Sequence, residues 1–194
     1  MCAAALLGGA AAVAVVSVGD AVGTWPRHGG EVTLRGNEMT LQGVRAKVGQ
    51  TAPDAVGVAE DMSERRLRDF RGKTVVLSFV PSIETSVCSA QTRMFNERAA
   101  EAGEDVAIVT VSMDLPMAQR RFCAAEGIDQ VTMLSDYRHW SFAQNFGVRI
   151  AANGLLARAV YVIDPAGKIV HHELVDEITQ EPDYDAALEA GAKA

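Results

Sequence analysis

Two short apolar runs in the middle of the chain, residues 74–80 and 106–111, are each followed by a stretch of helical periodicity. Runs of that length and character read as buried strands. After the first, Val87, Ala90, Met94 and Phe95 mark one face of a helix over residues 87–100. After the second, Pro116 opens a helix that Gly127 stops, with Ala118, Phe122 and Ala125 facing inward. A strand–helix–strand–helix order restricts the chain to an α/β sandwich built on a mixed sheet.

The remaining elements fit around this centre. Residues 131–134 read as a strand and residues 139–146 as a helix ended by Gly147. Strands over 159–163 and 169–175 are joined by the turn sequence Asp164-Pro165-Ala166-Gly167-Lys168. Pro182 opens a C-terminal helix running to about residue 190. Near the N-terminus, Val32-Thr33-Leu34 and Met39-Thr40-Leu41 alternate around Gly36-Asn37, a hairpin signal. A short strand at 56–58 follows, and Ser63-Glu64 read as the cap of a helical turn ending by Gly72. There is no internal repeat and no break between domains. The order fits a thioredoxin-like fold, with a mixed central sheet flanked by helices and an N-terminal β-hairpin.

With 194 residues the chain can bury a full single-domain core. Its formal charge of −7 and the absence of a basic cluster argue against nucleic-acid binding. Three cysteines, with no C-x-x-C and no Cys/His set at zinc spacing, make neither a secreted disulfide framework nor a metal site. They fit a reducing compartment, where a cysteine pair serves catalysis or redox exchange. His171 and His172, adjacent in a strand, point to opposite faces and do not share a metal. Glu173, Asp176 and Glu177 read as a solvated acidic stretch.

Residues 1–28 stand apart from the domain expected over 29–194. The segment 3–18 is apolar and rich in small residues, with no positive region before it. Three readings fit it: an extension outside the fold, a weak signal or anchor, or a structured element. No stable membrane span is expected, because the run is short and weakly apolar. The expected location is cytoplasmic, or periplasmic or membrane-anchored if the segment is a targeting signal.

Cys88 sits where the first strand turns into its helix, close to the unpaired N–H groups and positive dipole end of the helix. The thiolate, the nucleophilic form, is favoured there. A single cysteine is nonetheless more often buried and inert. Pro81 restricts the backbone and can help close a pocket. Thr85, one turn before Cys88, offers a hydroxyl that donates and accepts, although it also suits a helix cap. Cys123 lies in the second helix, beside Phe122, and reads equally well as a core residue.

Pro81, Thr85 and Cys88 complete the pattern Pro-x-x-x-Thr-x-x-Cys. Asp114-Leu115-Pro116, Arg121-Phe122-Cys123-Ala124-Ala125-Glu126-Gly127, Leu156-Ala157-Arg158-Ala159-Val160 and Leu174-Val175-Asp176-Glu177-Ile178-Thr179 follow in order. From about Glu31 to the C-terminus the chain resembles the bacterial thiol peroxidase branch of the peroxiredoxins, which are atypical two-cysteine enzymes. That resemblance implies a peroxidase acting on hydrogen peroxide and organic hydroperoxides. Cys88 would be the peroxidatic thiol and Cys123 the resolving one. Thr85 would hydrogen-bond the peroxide, Pro81 would shield the pocket, and Arg158 would stabilise the thiolate and the leaving oxygen. A Cys88–Cys123 disulfide within one chain would be reduced by thioredoxin, with no cofactor, in a homodimer. Cys2 has no part in the cycle.

Read from the residues alone, Arg158 is an ordinary surface arginine. Arg93 either helps hold the shell around Cys88 or lies on a solvated face, and Arg120 and Arg121 are solvated charges beside Cys123. The two cysteines are expected to lie beyond disulfide range, about 7 Å between Cα atoms, in the reduced fold. A thioredoxin-fold redox sensor or adaptor, using the same disulfide as a switch, is the rival reading.

Overall fold

The computed structural model describes residues 24–194. The segment before Thr24, Cys2 included, lies outside the described residues. In chain order the elements are β1 (Arg27–Leu34), β2 (Asn37–Gln42), β3 (Val56–Val58), β4 (Glu64–Arg66), a 3-10 turn (Leu67–Phe70), β5 (Thr74–Phe79) and α1 (Ser86–Ala102). They continue with β6 (Val106–Ser112), α2 (Pro116–Glu126), β7 (Val131–Ser135), α3 (Ser141–Phe146), β8 (Arg149–Ile150), β9 (Ala159–Ile163), β10 (Ile169–Leu174) and α4 (Tyr184–Ala192).

Seven strands form the central sheet in the order β10-β9-β5-β6-β7-β3-β4. The pairs β5–β6 and β6–β7 are parallel, and β9 runs antiparallel to β5, so the sheet is mixed as expected. Side chains alternate between its faces. Val76, Ile108, Val160 and Val162 pack against Phe95 of α1 and Ala187 of α4. Leu77, Phe79, Val109, Val111 and Tyr161 pack against Phe142 and Phe146 of α3. On that second face Phe79, Phe142, Phe146 and Tyr161 form an aromatic group with ring centroids 5.0 to 6.2 Å apart. A smaller sheet of β1, β2 and β8 lies beside it.

The helices are where expected, but their buried faces are turned from the expected ones. Cys88, Gln91, Thr92 and Phe95 form the buried stripe of α1, at the spacing i, i+3, i+4, i+7. On α2 the buried residues are Pro116, Gln119 and Cys123, while Ala125 is exposed. Apolarity misleads in both cases because buried glutamines hold polar partners on these faces. Gln119 donates to Ser112 Oγ at 3.0 Å and to the Leu134 carbonyl at 3.1 Å.

Four local differences have clear causes. The hairpin turns at Arg35-Gly36, both at positive φ (52° and 76°), one residue before the expected pair; a two-residue turn of this kind matches strand twist. Glu64–Arg66 is a fully exposed edge strand paired with β3, and only Leu67–Phe70 is helical. Charged side chains suit an edge. The helix expected from residue 139 starts at Ser141, because Trp140 is left-handed (φ 51°) and the Asp136 carboxylate caps it, accepting from Phe142 and Ala143 N–H at 3.2 and 2.7 Å. The boundary expected at residue 28 falls inside β1, and Trp25 already meets Trp140 edge-on with ring centroids 6.3 Å apart.

Among the described residues, no helix is long and apolar enough to cross a membrane.

Candidate active site

Cys88 is the third residue of α1 and is fully buried. The loop that delivers it is fastened to the end of β6. Asp114 accepts from Ser82 Oγ at 2.7 Å, from the Ile83 N–H at 2.9 Å and from Ser112 Oγ at 2.7 Å. One carboxylate therefore sets the path of the chain from β5 into α1. Thr85 occupies the N-cap position, yet its hydroxyl does not cap the helix; it donates to the Ser82 carbonyl at 3.1 Å. Its lone pairs are left to accept from a ligand. Thr92 Oγ1 donates back to the Cys88 carbonyl at 2.9 Å.

Arg158 lies just ahead of β9 and is 1% exposed, which sets aside the surface reading. Its Nη2 is 3.4 Å from Cys88 Sγ. Nε donates to the Ile178 carbonyl at 3.0 Å, and Nη1 donates to Gln91 Oε1. Gln91 is itself held by Ser78 of β5, to which its Nε2 donates at 2.8 Å. A buried guanidinium is costly unless its donors are matched. Here two matched anchors leave a cationic N–H directed at the sulfur.

A cavity of about 380 Å³ opens beside this pair. Pro81, Thr85, Val87 and Arg158 line one side, and Leu34, Arg35, Ile150 and Ile178 contribute from the hairpin side. The walls are mostly apolar, with a buried cation at the end nearest Cys88. Pro81, Thr85, Cys88 and Arg158 thus meet at one place.

Cys123 is 7% exposed and shares one apolar cluster with Cys88, Val80, Ile83, Ile128 and Met133. Both thiols are free. The Cys123 thiol is pushed far above the ordinary thiol range, first by burial and then by its hydrogen bond to the Glu60 carboxylate. Two exposed ion pairs bind its helix to the Cys88 segment: Arg121–Glu84 and Arg93–Glu126, each at 2.7 Å. Arg93 also donates to Ser89 Oγ at 2.6 Å, so it supports the helix surface beside Cys88.

Gln91, Asp114, Ser82 and Glu60 belong to the site although sequence reasoning did not nominate them. Gln91 carried one usable signal, a polar residue three positions after Cys88 on the stripe that continues to Phe95. The acidic stretch is also not simply solvated. Glu177 accepts from backbone and hydroxyl donors of the hairpin, and Glu173 accepts the Asp183 N–H at 2.9 Å.

A mixed sheet with a buried thiol in the first turn of a helix, and an arginine against that thiol, defines a redox domain of the thioredoxin-like class. The family model described as Redoxin matches residues 47–188. The chain is 49% identical to a thiol peroxidase of Bacillus subtilis (strain 168), over 84% of this chain and 97% of that protein. It is 50% identical to a thiol peroxidase of Oceanobacillus iheyensis, over 81% of this chain and 95% of that one. A solved peroxiredoxin-like protein from Aquifex aeolicus superposes with a TM-score of 0.79 at 42% identity, covering 86% of this chain and 98% of its own. The chain belongs to the thiol peroxidase family of peroxiredoxin-type enzymes.

Proposed function

We propose that this chain reduces hydrogen peroxide and organic hydroperoxides through Cys88 and Cys123 and is recycled by a thioredoxin-type dithiol. The observation that supports it most is the 3.4 Å approach of the Arg158 guanidinium to the Cys88 sulfur beside an apolar cavity.

The Cys88 thiolate attacks one peroxide oxygen and the O–O bond breaks. The other oxygen leaves as an alcohol or water after taking a proton, and Cys88 becomes a sulfenic acid. Arg158 stabilises the sulfur anion and the charge on the departing oxygen. The Thr85 oxygen accepts from the peroxide hydroxyl and orients it, and Pro81 keeps water from that side. Cys123 then attacks the sulfenic sulfur, the S–O bond breaks, and the oxygen leaves as water with the thiol proton. The resulting disulfide is reduced by exchange with a dithiol, which is itself oxidised.

Cys88 is fully buried, and the Cys123 helix is tied to the segment around it by two ion pairs. Disulfide closure therefore proceeds through local unwinding around both thiols. The folded domain, with Trp25 and all of β1 included, acts as a homodimer in the cytoplasm, where thiols are kept reduced.

Steady-state turnover with thioredoxin, thioredoxin reductase and NADPH tests the reading. Sustained NADPH oxidation on adding hydrogen peroxide or cumene hydroperoxide is expected. Oxidation of one equivalent without turnover would instead identify a redox sensor.

A further inference from the structure

Beyond β10 the chain crosses in front of the β1–β2 hairpin, and Glu177 fastens it there. Its carboxylate accepts from Thr33 Oγ1 at 2.9 Å, from the N–H groups of Arg35 and Gly36 at 3.1 Å each, and from Thr179 N–H and hydroxyl at 3.1 and 2.8 Å. The backbone adds two more bonds: Thr33 N–H to the Asp176 carbonyl at 2.6 Å and Ile178 N–H to the Thr33 carbonyl at 2.9 Å. These donors hold the carboxylate well below the usual range, at about 2, with the Arg35 N–H the largest cause.

The next carbonyl along, that of Ile178, takes the Nε–H of Arg158. A guanidinium is a rigid planar fork, so two fixed contacts set its plane and aim its remaining N–H groups. Ile178 and Gln91 are those two contacts, and Cys88 is where Nη2 points. The same fastening brings Leu34, Arg35, Ile178 and Thr179 to the wall of the cavity facing Pro81 and Thr85.

We propose that Glu177 is a positioning residue of the redox site: it fixes the Ile178 carbonyl that aims Arg158 at Cys88, and it holds the hairpin wall of the access cavity. The inference rests on the assignment of Cys88 and Arg158 to the chemistry. Among the described residues, the hydrogen bonds of Glu177 all go to the hairpin and to its own loop. Its effect on the sulfur therefore passes through Ile178 and Arg158.

A double-mutant cycle tests this. The rate of Cys88 oxidation by hydrogen peroxide is measured in the wild type, Glu177→Ala, Arg158→Lys and the double variant, with folding checked by circular dichroism melts. Lysine keeps the charge but lacks the second anchor. Glu177→Ala is expected to slow oxidation about tenfold in the wild-type background and less than about twofold in the Arg158→Lys background. It is also expected to raise KM for cumene hydroperoxide, because the cavity wall is released. Glu177→Gln, which keeps one acceptor oxygen and the side-chain shape, recovers part of the rate, to within about threefold of the wild type. If the alanine variant fails to fold, the glutamine variant carries the cycle, with an expected loss of roughly threefold that disappears with Arg158→Lys. Equal losses in both backgrounds, or no loss in either Glu177 variant, would overturn the proposal. Cys88→Ser is run alongside: activity surviving in that variant would sink the assignment of the thiol, a failure distinct from that of Glu177.

Discussion

Arg158 and Cys88 stand 70 positions apart in the chain and 3.4 Å apart in space. The contact joins the start of β9 to the first turn of α1, on two elements that share β5 as neighbour or predecessor. Arg158 is paired with no carboxylate in that contact set: its partners are a carbonyl, an amide oxygen and the sulfur.

Removing either thiol separates the two halves of the cycle. Cys88→Ser should abolish peroxide consumption. Cys123→Ser should still form one equivalent of sulfenic acid, trapped by dimedone and weighed by intact mass, but should not cycle with thioredoxin. Full cycling in the second variant would mean that another thiol resolves Cys88.

Gln91 carries no chemistry of its own but holds Nη1 of Arg158. A hydrogen bond to a charged group contributes about 1.5–3 kcal/mol, so Gln91→Leu should slow peroxide reduction about tenfold or more. Stopped-flow measurement at saturating reductant reads this directly. An unchanged rate would show that the Ile178 carbonyl alone suffices.

Asp114 draws three donors onto one side chain at the loop before α1. Asp114→Ala strands those donors and should cost about 1–3 kcal/mol of stability, together with a fall in activity, since the loop also presents Pro81 and Thr85. Urea unfolding and peroxide kinetics on the same sample check both. A stable variant with full activity would mean the loop holds itself.

Glu60 is one of two causes that keep the Cys123 thiol protonated, burial being the larger. Glu60→Gln should therefore ease deprotonation of Cys123 and quicken disulfide closure roughly two- to fivefold near neutral pH. Quenched-flow mass spectrometry of a single turnover measures the step. Slower closure would point instead to Glu60 as the acceptor of the thiol proton.

His172 stacks on Tyr161 with ring centroids 4.2 Å apart. Burial, followed by the charge of Arg45, lowers its pKa from 6.5 to about 4 in the fold. The unfolded chain thus takes up the proton first as pH falls. The stability contributed by the neutral ring is complete above pH 6.5 and drains away between about 6.5 and 4. His172→Phe keeps the stacking and should flatten that part of the profile. Denaturant midpoints of both proteins at pH 7.5 and 4.5 give the difference, and parallel profiles would exclude this role for His172.

What the sequence disclosed follows a physical division. Strands such as β5 and β6 were legible because continuous apolar runs have few alternatives, and Pro116 and Gly127 marked the ends of α2. Pro81, Thr85 and Cys88 were legible because they lie within one turn-and-helix segment. Arg158 was accessible only by resemblance, since nothing local says that a charge seventy positions away will be buried against a thiol. Gln91 and Gln119 were hidden for a related reason. A glutamine looks solvated until its partners are known, and those partners sit on other strands. Glu177 sat among acidic neighbours, and its role depends on a hairpin more than 140 positions earlier in the chain.

The anchors around the sulfur are unevenly distributed over the fold. Ser78 lies near the C-terminal end of β5, Arg158 just ahead of β9, and the Ile178 carbonyl in a loop fastened to the hairpin. Only Gln91 and the sulfur itself belong to α1. If the first turn of α1 unwinds to present the oxidised sulfur to Cys123, most of the cradle stays behind on the sheet. It would then work as a mould for the returning segment, and each catalytic round would end by annealing one helical turn onto a surface that never came apart.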